Sequence, residues 1–185
     1  MSRVPRSDLI LGGVRSGKSR EALRVAASMP RGSRGAFLAT AQALDGDMEA
    51  RIARHRAERP TGWATLEEPY DVVRACGSLA GRVDVVVLDC LTLWVSNLLG
   101  KGATDAEIVA DAERVAAAAG GRPGRTIVVT NEVGLGIVPF EPETRRFRDL
   151  LGKVNTVVSD AAEKVGLLVT GRVLWLDERF DGGLP

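Results

Sequence analysis

The sequence has 185 residues, of which 45% are hydrophobic and 26% are charged, and its 25 basic residues nearly balance 24 acidic ones. This is an ordinary globular composition, and a net charge of +1 argues against attachment to nucleic acid or to an anionic membrane by bulk electrostatics. Two cysteines and one histidine are too few for a disulfide-stapled scaffold or a Cys/His zinc cluster.

Short β-like runs alternate with helix-length segments along the chain. In chain order, the sequence predicts a strand at 8–11, a helix at 19–28, a strand at 36–40, a helix at 45–58, a helix at 71–79, a strand at 83–88, a helix at 104–119, a strand at 126–130, a helix at 142–165, a strand at 167–170 and an edge strand at 173–176. This order is typical of an α/β fold with a mostly parallel central sheet flanked by helices.

The overall organisation indicates one soluble domain. No internal repeat or linker divides the chain, so residues 1–185 are expected to form a single domain. No segment approaches the roughly 20 apolar residues that cross a bilayer. Residues 1–8 are short and polar and lack the apolar core of a signal peptide. We therefore expect a cytoplasmic protein without a membrane span.

The clearest motif lies at 12–19, where Gly-Gly-Val-Arg-Ser-Gly-Lys-Ser fits G-x-x-x-x-G-K-[ST] between a predicted strand and a predicted helix. Its glycines permit a tight turn whose N–H groups point at phosphate oxygens, and the helix N-terminus adds partial positive charge. Lys18 is expected to reach the β/γ-phosphates, and Ser19 to offer its hydroxyl to Mg²⁺. The predicted nucleotide-binding residues of this loop are Gly12, Gly13, Val14, Arg15, Ser16, Gly17, Lys18 and Ser19.

Asp89 follows the apolar run 83–88, which has the β-branched character of a buried central strand. A phosphate-binding loop needs a metal-binding carboxylate at the end of a neighbouring strand, and this favours metal coordination by Asp89, directly or through water. The alternative is that Asp89 caps a helix beginning just after it.

His55 is the one histidine of the chain and stands between two arginines. On a helix, Arg51, His55 and Arg59 share one stripe. The neighbouring positive charges favour the neutral imidazole, which is the form that can attack phosphorus. Its spacing from Ile52 also fits a packed core histidine, and the spacing alone leaves that alternative open.

Several other side chains have more than one interpretation. Asn131 and Glu132 follow a predicted buried strand, where they could support catalysis or cap the next turn. Trp94 lies at helical spacing with neighbouring apolar residues, which favours packing. For Trp63, packing is favoured over stacking on a nucleotide base. Cys90 is expected to be a small buried hydrophobe rather than a reactive thiol.

Five blocks of the sequence, at 12–19, 51–60, 89–99, 130–139 and 146–155, resemble in the same order the bifunctional adenosylcobinamide kinase / adenosylcobinamide-phosphate guanylyltransferase family of cobalamin biosynthesis. The chain departs from the family in having Asp89 where members often carry Glu. The pair Asn155-Thr156 stands where Asn-Gln is usual, and the tail 172–185 does not match the short basic ending of the family.

The resemblance implies a RecA-like, three-layer P-loop NTPase fold, a homotrimer, and two reactions. A nucleoside triphosphate, ATP or GTP, phosphorylates adenosylcobinamide. GMP then moves from GTP, through a guanylyl-histidine at the position of His55, to give adenosylcobinamide-GDP. Beyond the phosphate-binding loop, the nucleotide contacts that the resemblance implies are Leu38, Ala39, Thr40, Arg56, Ala57, Glu58, Arg59, Glu67 and Asp89.

Two other functions are compatible with the motifs. One is a simple P-loop small-molecule kinase in which His55 is structural. The other is a nucleotide-dependent binding module of RecA-like fold that acts on nucleic acid or on a partner protein. The near-zero net charge and an aromatic content of 4% disfavour binding of nucleic acid. The chain has little excess positive charge to bind phosphates and few aromatic rings on which bases could stack.

Overall fold

The computed structural model describes residues 7–176. Its elements are β1 (Ser7–Gly12), α1 (Lys18–Ala27), β2 (Gly35–Ala39), α2 (Gly46–Ala57), β3 (Ala64–Glu67), α3 (Val72–Leu79), β4 (Val85–Asp89), α4 (Leu91–Gly100), α5 (Asp105–Gly121), β5 (Arg125–Val129), α6 (Pro142–Ala161), β6 (Lys164–Val169) and β7 (Arg172–Leu176). One seven-stranded sheet has the order β3-β2-β4-β5-β1-β6-β7. Only the β6–β7 pair is antiparallel among its paired strands. The predicted α/β fold with a mostly parallel sheet is confirmed.

The sheet is covered on both faces, and β4 shows how the sequence achieves this. Alternate residues of a strand face opposite sides. Val85 and Val87 pack in the apolar cluster that includes α1, whereas Val86 and Leu88 pack in the cluster that includes α3, α4, α5 and α6. All four side chains are buried. The unbroken apolar run is therefore the signature of a strand covered on two sides.

Four elements differ from the sequence prediction: β3 and α4 are absent from the predicted order, and α6 ends and β6 begins earlier than predicted. The edge strand β3 was not predicted, because its residues are largely exposed and the segment has no apolar run. The helix predicted at 142–165 ends at Ala161, and Lys164 already pairs with Asp8 in a parallel register. Pairing with the central strand β1 takes precedence over the helical pattern there. The predicted edge strand 173–176 is confirmed as part of β7, and the tail at 177–185 lies outside the described residues.

Within residues 7–176, no helix combines the length and the apolar character that crossing a membrane requires.

A buried ion pair joins the central strand to its neighbour. The Arg125 guanidinium donates to both Asp8 carboxylate oxygens, at 2.7 and 2.8 Å. The Asp8 side chain is 1% exposed and that of Arg125 is 23% exposed. Hydrogen bonding to Asp8 raises the pKa of Arg125. Because Asp8 is the more deeply buried partner, removal of Arg125 leaves an unpaired buried carboxylate. That loss costs more free energy than removal of Asp8, which would leave the more exposed Arg125 unpaired.

We therefore expect Arg125→Met to lower the free energy of unfolding by about 3–5 kcal/mol. The measurement is the midpoint of urea unfolding at an unchanged slope. Arg114→Met is the matched control, because it breaks an exposed pair with Asp111 and is expected to cost less than about 1 kcal/mol. Equal midpoints for the two variants would contradict a stabilising role for the buried pair.

Candidate active site

The phosphate-binding loop connects the end of β1 to the start of α1. Gly17 immediately precedes the helix and has a φ angle of 100°, a left-handed conformation that glycine adopts without steric cost. Arg15, with a φ of 56°, is also left-handed. The predicted strand-loop-helix context of the motif is therefore present.

The hairpin between β6 and β7 braces this loop. The Gly171 N–H donates to the Ser16 carbonyl at 2.9 Å. In a trans peptide the C=O and the following N–H point in opposite directions, so this bond turns the Gly17 N–H away from the hairpin. A Cβ at Gly12 would clash with the backbone carbonyl of Leu168. Glycine at position 12 thus lets β6 approach the start of the loop.

Lys18 occupies the first position of α1 and folds back over the loop. Its ammonium donates to the Gly13 carbonyl at 2.6 Å. Burial lowers the pKa of Lys18, and the positive charge of Arg51 acts in the same direction, while Cys90 and Asp89 oppose the shift. The loop lysine therefore lies within electrostatic reach of both β4 and α2.

A cavity of about 930 Å³ opens beside the loop. That volume lies within the usual range for small-molecule sites. Its wall combines loop residues with residues of α1 and α2 and with the carboxyl ends of β4 and β5. The lining residues are Val14, Arg15, Ser16, Gly17, Lys18, Ser19, Arg20, Leu23, Arg51, Arg54, His55, Glu58, Asp89, Cys90, Val129 and Asn131.

A second, smaller cavity of about 60 Å³ shares part of its wall with the large one. It extends between α2 and the carboxyl ends of β2, β3 and β4. Its lining residues are Ala39, Ala41, Met48, Arg51, Ile52, His55, Arg59, Glu67, Asp89, Cys90 and Leu93. Four residues border both cavities: Arg51, His55, Asp89 and Cys90.

His55 lies in the last turn of α2, and its side chain is 34% exposed. It is not a packed core histidine, since none of the residues of α2 is fully buried. Its Nδ1 lies 3.6 Å from Asp89 Oδ2, which is an electrostatic contact but too long for a hydrogen bond. With Nδ1 directed at the carboxylate, Nε2 is the ring nitrogen left for other partners.

Asp89 is the last residue of β4, and its side chain is 16% exposed. The alternative that it caps the following helix is wrong, because the N-cap of α4 is Cys90. Burial raises the pKa of the Cys90 thiol to about 11, so this side chain is protonated and unreactive at neutral pH.

Polar contacts attach the end of α2 to the edge strand β3. Arg56 forms an ion pair with Glu67. Arg59 donates to the Thr65 hydroxyl at 2.9 Å, and its guanidinium carbon lies 4.7 Å from the centre of the Phe37 ring. Burial lowers the pKa of Arg59, although Asp89 and Glu67 oppose this shift. These contacts position the histidine-bearing helix over the sheet edge.

The other residues suggested by the family resemblance have different surroundings. Leu38 is a fully buried core residue that lines neither cavity, whereas its neighbour Ala39 lines the small one. The buried Thr40 hydroxyl donates to the Cys90 carbonyl at 2.7 Å and accepts from the Cys90 N–H at 2.9 Å. Ala57 is exposed at the end of α2. Thr40 therefore holds the backbone between β4 and α4 in place.

The structure shows the contacts of Asn131, Glu132 and Trp63, for each of which the sequence left two interpretations. Asn131 lines the large cavity, and its N–H donates to the Thr92 hydroxyl at 2.8 Å. Glu132 accepts the Gly134 N–H, which is the turn-capping alternative. The Trp63 ring packs on Phe37, with ring centroids 5.4 Å apart, as predicted.

Trp94 is also a packing residue. It is 1% exposed, and its indole N–H donates to the Tyr70 carbonyl at 2.8 Å. The predicted packing role of Trp94 is therefore confirmed, and its hydrogen bond connects α4 to the segment before α3.

Sequence reasoning did not select Arg51 and Arg54 as site residues, although both line the large cavity. The helical stripe of Arg51, His55 and Arg59 contained the signal for Arg51. The stripe could not show that Arg51 lines two cavities, because both cavities form only when α2 packs against the sheet.

Comparison with known proteins agrees with these features. A family model described as cobinamide kinase / cobinamide phosphate guanyltransferase matches residues 8–176. The bifunctional adenosylcobalamin biosynthesis protein CobP of Pseudomonas aeruginosa is 46% identical over 166 residues, which cover 89% of this chain and 93% of that protein. The CobU proteins of the same description from Escherichia coli and Salmonella typhimurium are 38% and 37% identical over 175 residues, covering 88% of this chain and 95% of each relative. This chain therefore belongs to the CobU family of enzymes, the cobinamide kinase / cobinamide phosphate guanyltransferase family.

Proposed function

We propose that the chain catalyses two successive reactions of adenosylcobalamin biosynthesis. In the first, ATP or GTP phosphorylates the aminopropanol hydroxyl of adenosylcobinamide. In the second, GMP passes from GTP through a guanylyl-histidine at His55 to the new phosphate, giving adenosylcobinamide-GDP and pyrophosphate. The observation that carries this proposal is that the phosphate-binding loop and His55 line the same large cavity.

In the kinase reaction, the loop backbone binds the phosphates of the nucleotide and Lys18 stabilises the charge on the transferred group. The hydroxyl oxygen of the acceptor attacks the γ-phosphorus, the nucleoside diphosphate leaves with the electron pair of the broken phosphorus–oxygen bond, and the hydroxyl proton passes to solvent. Because Gly171 fixes the Ser16 carbonyl, the Gly17 N–H is already oriented when nucleotide binds. Such preorganised donors stabilise the transition state without reorganising during the reaction.

In the guanylyl transfer, the neutral imidazole of His55 attacks the α-phosphorus of GTP. A nitrogen–phosphorus bond forms, and pyrophosphate leaves with the electron pair of the broken phosphorus–oxygen bond. A phosphate oxygen of the acceptor then attacks the same phosphorus, and the imidazole leaves with the electron pair. The Asp89 carboxylate near Nδ1 orients the ring and favours attack by Nε2.

Mg²⁺ fits the donors present at this site. Ser19 offers a hydroxyl and Asp89 a carboxylate, and both line the large cavity. Mg²⁺ prefers oxygen ligands and is usually held by one or two protein side chains together with substrate phosphates. When bound, it would neutralise charge on those phosphates.

The nucleotide base of the guanylyl group is proposed to lie outside the small cavity, at the carboxyl end of β3, in contact with Arg59 and Glu67. A carboxylate is an acceptor only, and it matches the two adjacent N–H donor groups on the Watson–Crick edge of guanine. The Arg56–Glu67 ion pair supports this assignment because it holds the carboxylate at the rim of β3.

The decisive experiment identifies the products by mass spectrometry after wild-type protein is incubated with adenosylcobinamide, GTP and Mg²⁺. Both the phosphorylated and the GDP-linked corrinoid are expected. Formation of the phosphate alone would favour the simple kinase with a structural His55. Absence of both products, with salt-dependent binding of single-stranded DNA, would favour the binding module.

We also propose a homotrimer in the cytoplasm. The loop after β5 exposes Ile137 and Phe140, at 95% and 92% of their surfaces, and exposed apolar clusters commonly mark protein contacts. Sedimentation equilibrium is expected to give about three times the 19.7 kDa chain mass. A single species at the chain mass would contradict the assembly and leave the enzymatic proposal unaffected.

A further inference from the structure

We infer that Arg51 is a catalytic residue of guanylyl transfer, whose guanidinium binds the oxygens of the phosphorus group that moves onto and off His55. This inference rests on the proposed function and goes beyond it, because Arg51 begins the matching block 51–60 but is not among the site residues that the family resemblance implies.

The first support is position. Arg51 precedes His55 by one helical turn, so the two side chains lie on the same face of α2. Both border the large cavity beside the phosphate-binding loop and also the small cavity behind it. Lys18 of the phosphate-binding loop lines the same large cavity as Arg51. A group bound to His55 therefore occupies a cavity that Arg51 also lines.

The second support is the charge of the wall between the cavities. Of the four residues that border both, Asp89 carries a carboxylate, Cys90 is a small buried side chain, and His55 attacks phosphorus only through a ring nitrogen that carries no proton. Arg51 is thus the permanent cation of that wall. A phosphate group arriving there brings negative charge, which the Arg51 guanidinium can neutralise directly.

The third support is that the Arg51 guanidinium is not engaged elsewhere in the described part of the chain. Arg56, on the same helix, is paired with Glu67, and Arg59 is bonded to Thr65 and lies over the Phe37 ring. Within residues 7–176, Arg51 has neither a hydrogen bond nor an ion pair from its side chain. Its donors are therefore free to bind a ligand without breaking an internal contact.

The chemistry requires such a cation in both half-reactions. When His55 attacks, negative charge is spread over the non-bridging oxygens of the α-phosphate as the bond to pyrophosphate breaks. When the acceptor oxygen attacks, the same oxygens carry that charge as the bond to His55 breaks. A guanidinium binds two such oxygens at once through its planar fork, which a lysine ammonium does not reproduce.

The test is single-turnover guanylylation with α-labelled GTP and Mg²⁺ in wild type, Arg51→Gln and Arg51→Lys. The nucleotide dissociation constant is measured in parallel with a non-hydrolysable GTP analogue. We expect the glutamine variant to form the protein-bound label about a hundredfold or more slowly. The dissociation constant should change by less than about fivefold, and lysine should restore the rate only in part. Discharge of the label by pyrophosphate should slow by a similar factor.

Arg82→Gln is the matched control, because Arg82 is an exposed arginine that lines neither cavity and precedes β4 at the opposite end of the sheet. It should label at the wild-type rate. Label formation by Arg51→Gln at that rate, or a loss of nucleotide affinity with an unchanged rate at saturation, would overturn the inference. If wild-type protein forms no label, the proposed function itself fails, which separates the two outcomes.

Discussion

Replacing His55 with alanine is expected to abolish the guanylylated protein and the GDP-linked product, lowering guanylyl transfer by more than about a thousandfold. The chain has one histidine, so no second imidazole can take over the reaction. Phosphorylation of adenosylcobinamide should remain within about threefold of wild type, because removing a nucleophile from one step leaves the phosphate-binding loop intact. The partly exposed side chain makes a large loss of stability unexpected.

The measurement is retention of label from α-labelled GTP on the denatured protein. A phosphorus–nitrogen bond gives an acid-labile and base-stable adduct, whereas a serine or threonine ester is stable to acid. The Arg82→Gln protein again provides the control for a mutation remote from the site. Label of undiminished amount on His55→Ala would assign the intermediate to another residue, and loss of both activities would indicate that His55 also serves the kinase step.

Lys18→Met is expected to reduce phosphoryl transfer by about a thousandfold. Methionine keeps much of the length of the side chain while removing the ammonium. We expect guanylyl transfer to fall as well, because His55 and Lys18 line the same cavity. The two variants therefore differ in pattern: His55→Ala loses one reaction and Lys18→Met loses both.

Steady-state assays of each reaction test this pattern, with Lys101→Met as the control. Lys101 lies over the Tyr70 ring after α4 and lines neither cavity. A Lys18→Met protein with normal phosphoryl transfer would show that the loop backbone alone suffices, and would contradict the role given to the ammonium. Retained guanylyl transfer with lost phosphoryl transfer would indicate separate triphosphate sites.

The sequence predicted the fold where burial leaves a pattern in the residues. The run at 83–88 identified β4 because both faces of that strand are covered. The edge strand β3 left no such pattern, because its side chains are mostly exposed and its place is set by hydrogen bonds to β2. The end of α6 was misplaced for a related reason: the residues after Ala161 fit a helix locally, and only their pairing with β1 makes them a strand.

For the site, the residues that share one loop or one helix face could be predicted from their spacing in the sequence. The contacts between residues of different elements could not. The phosphate-binding loop follows from consecutive residues, and the stripe containing Arg51 and His55 follows from helical periodicity. The approach of His55 to Asp89 joins residues of α2 and β4 and depends on tertiary packing. The same holds for the small cavity, whose wall draws on several strands and could not be read from any single motif.

The bracing of the phosphate-binding loop by the β6–β7 hairpin has a consequence for how the protein is made. The loop is translated about 150 residues before Gly171, whose N–H fixes the Ser16 carbonyl. The central strand β1 likewise can pair with its two neighbours, β5 and β6, only after both of these later segments have been translated. During synthesis, the phosphate-binding loop and β1 thus acquire all of their final contacts only after β5, β6 and the β6–β7 hairpin have been translated.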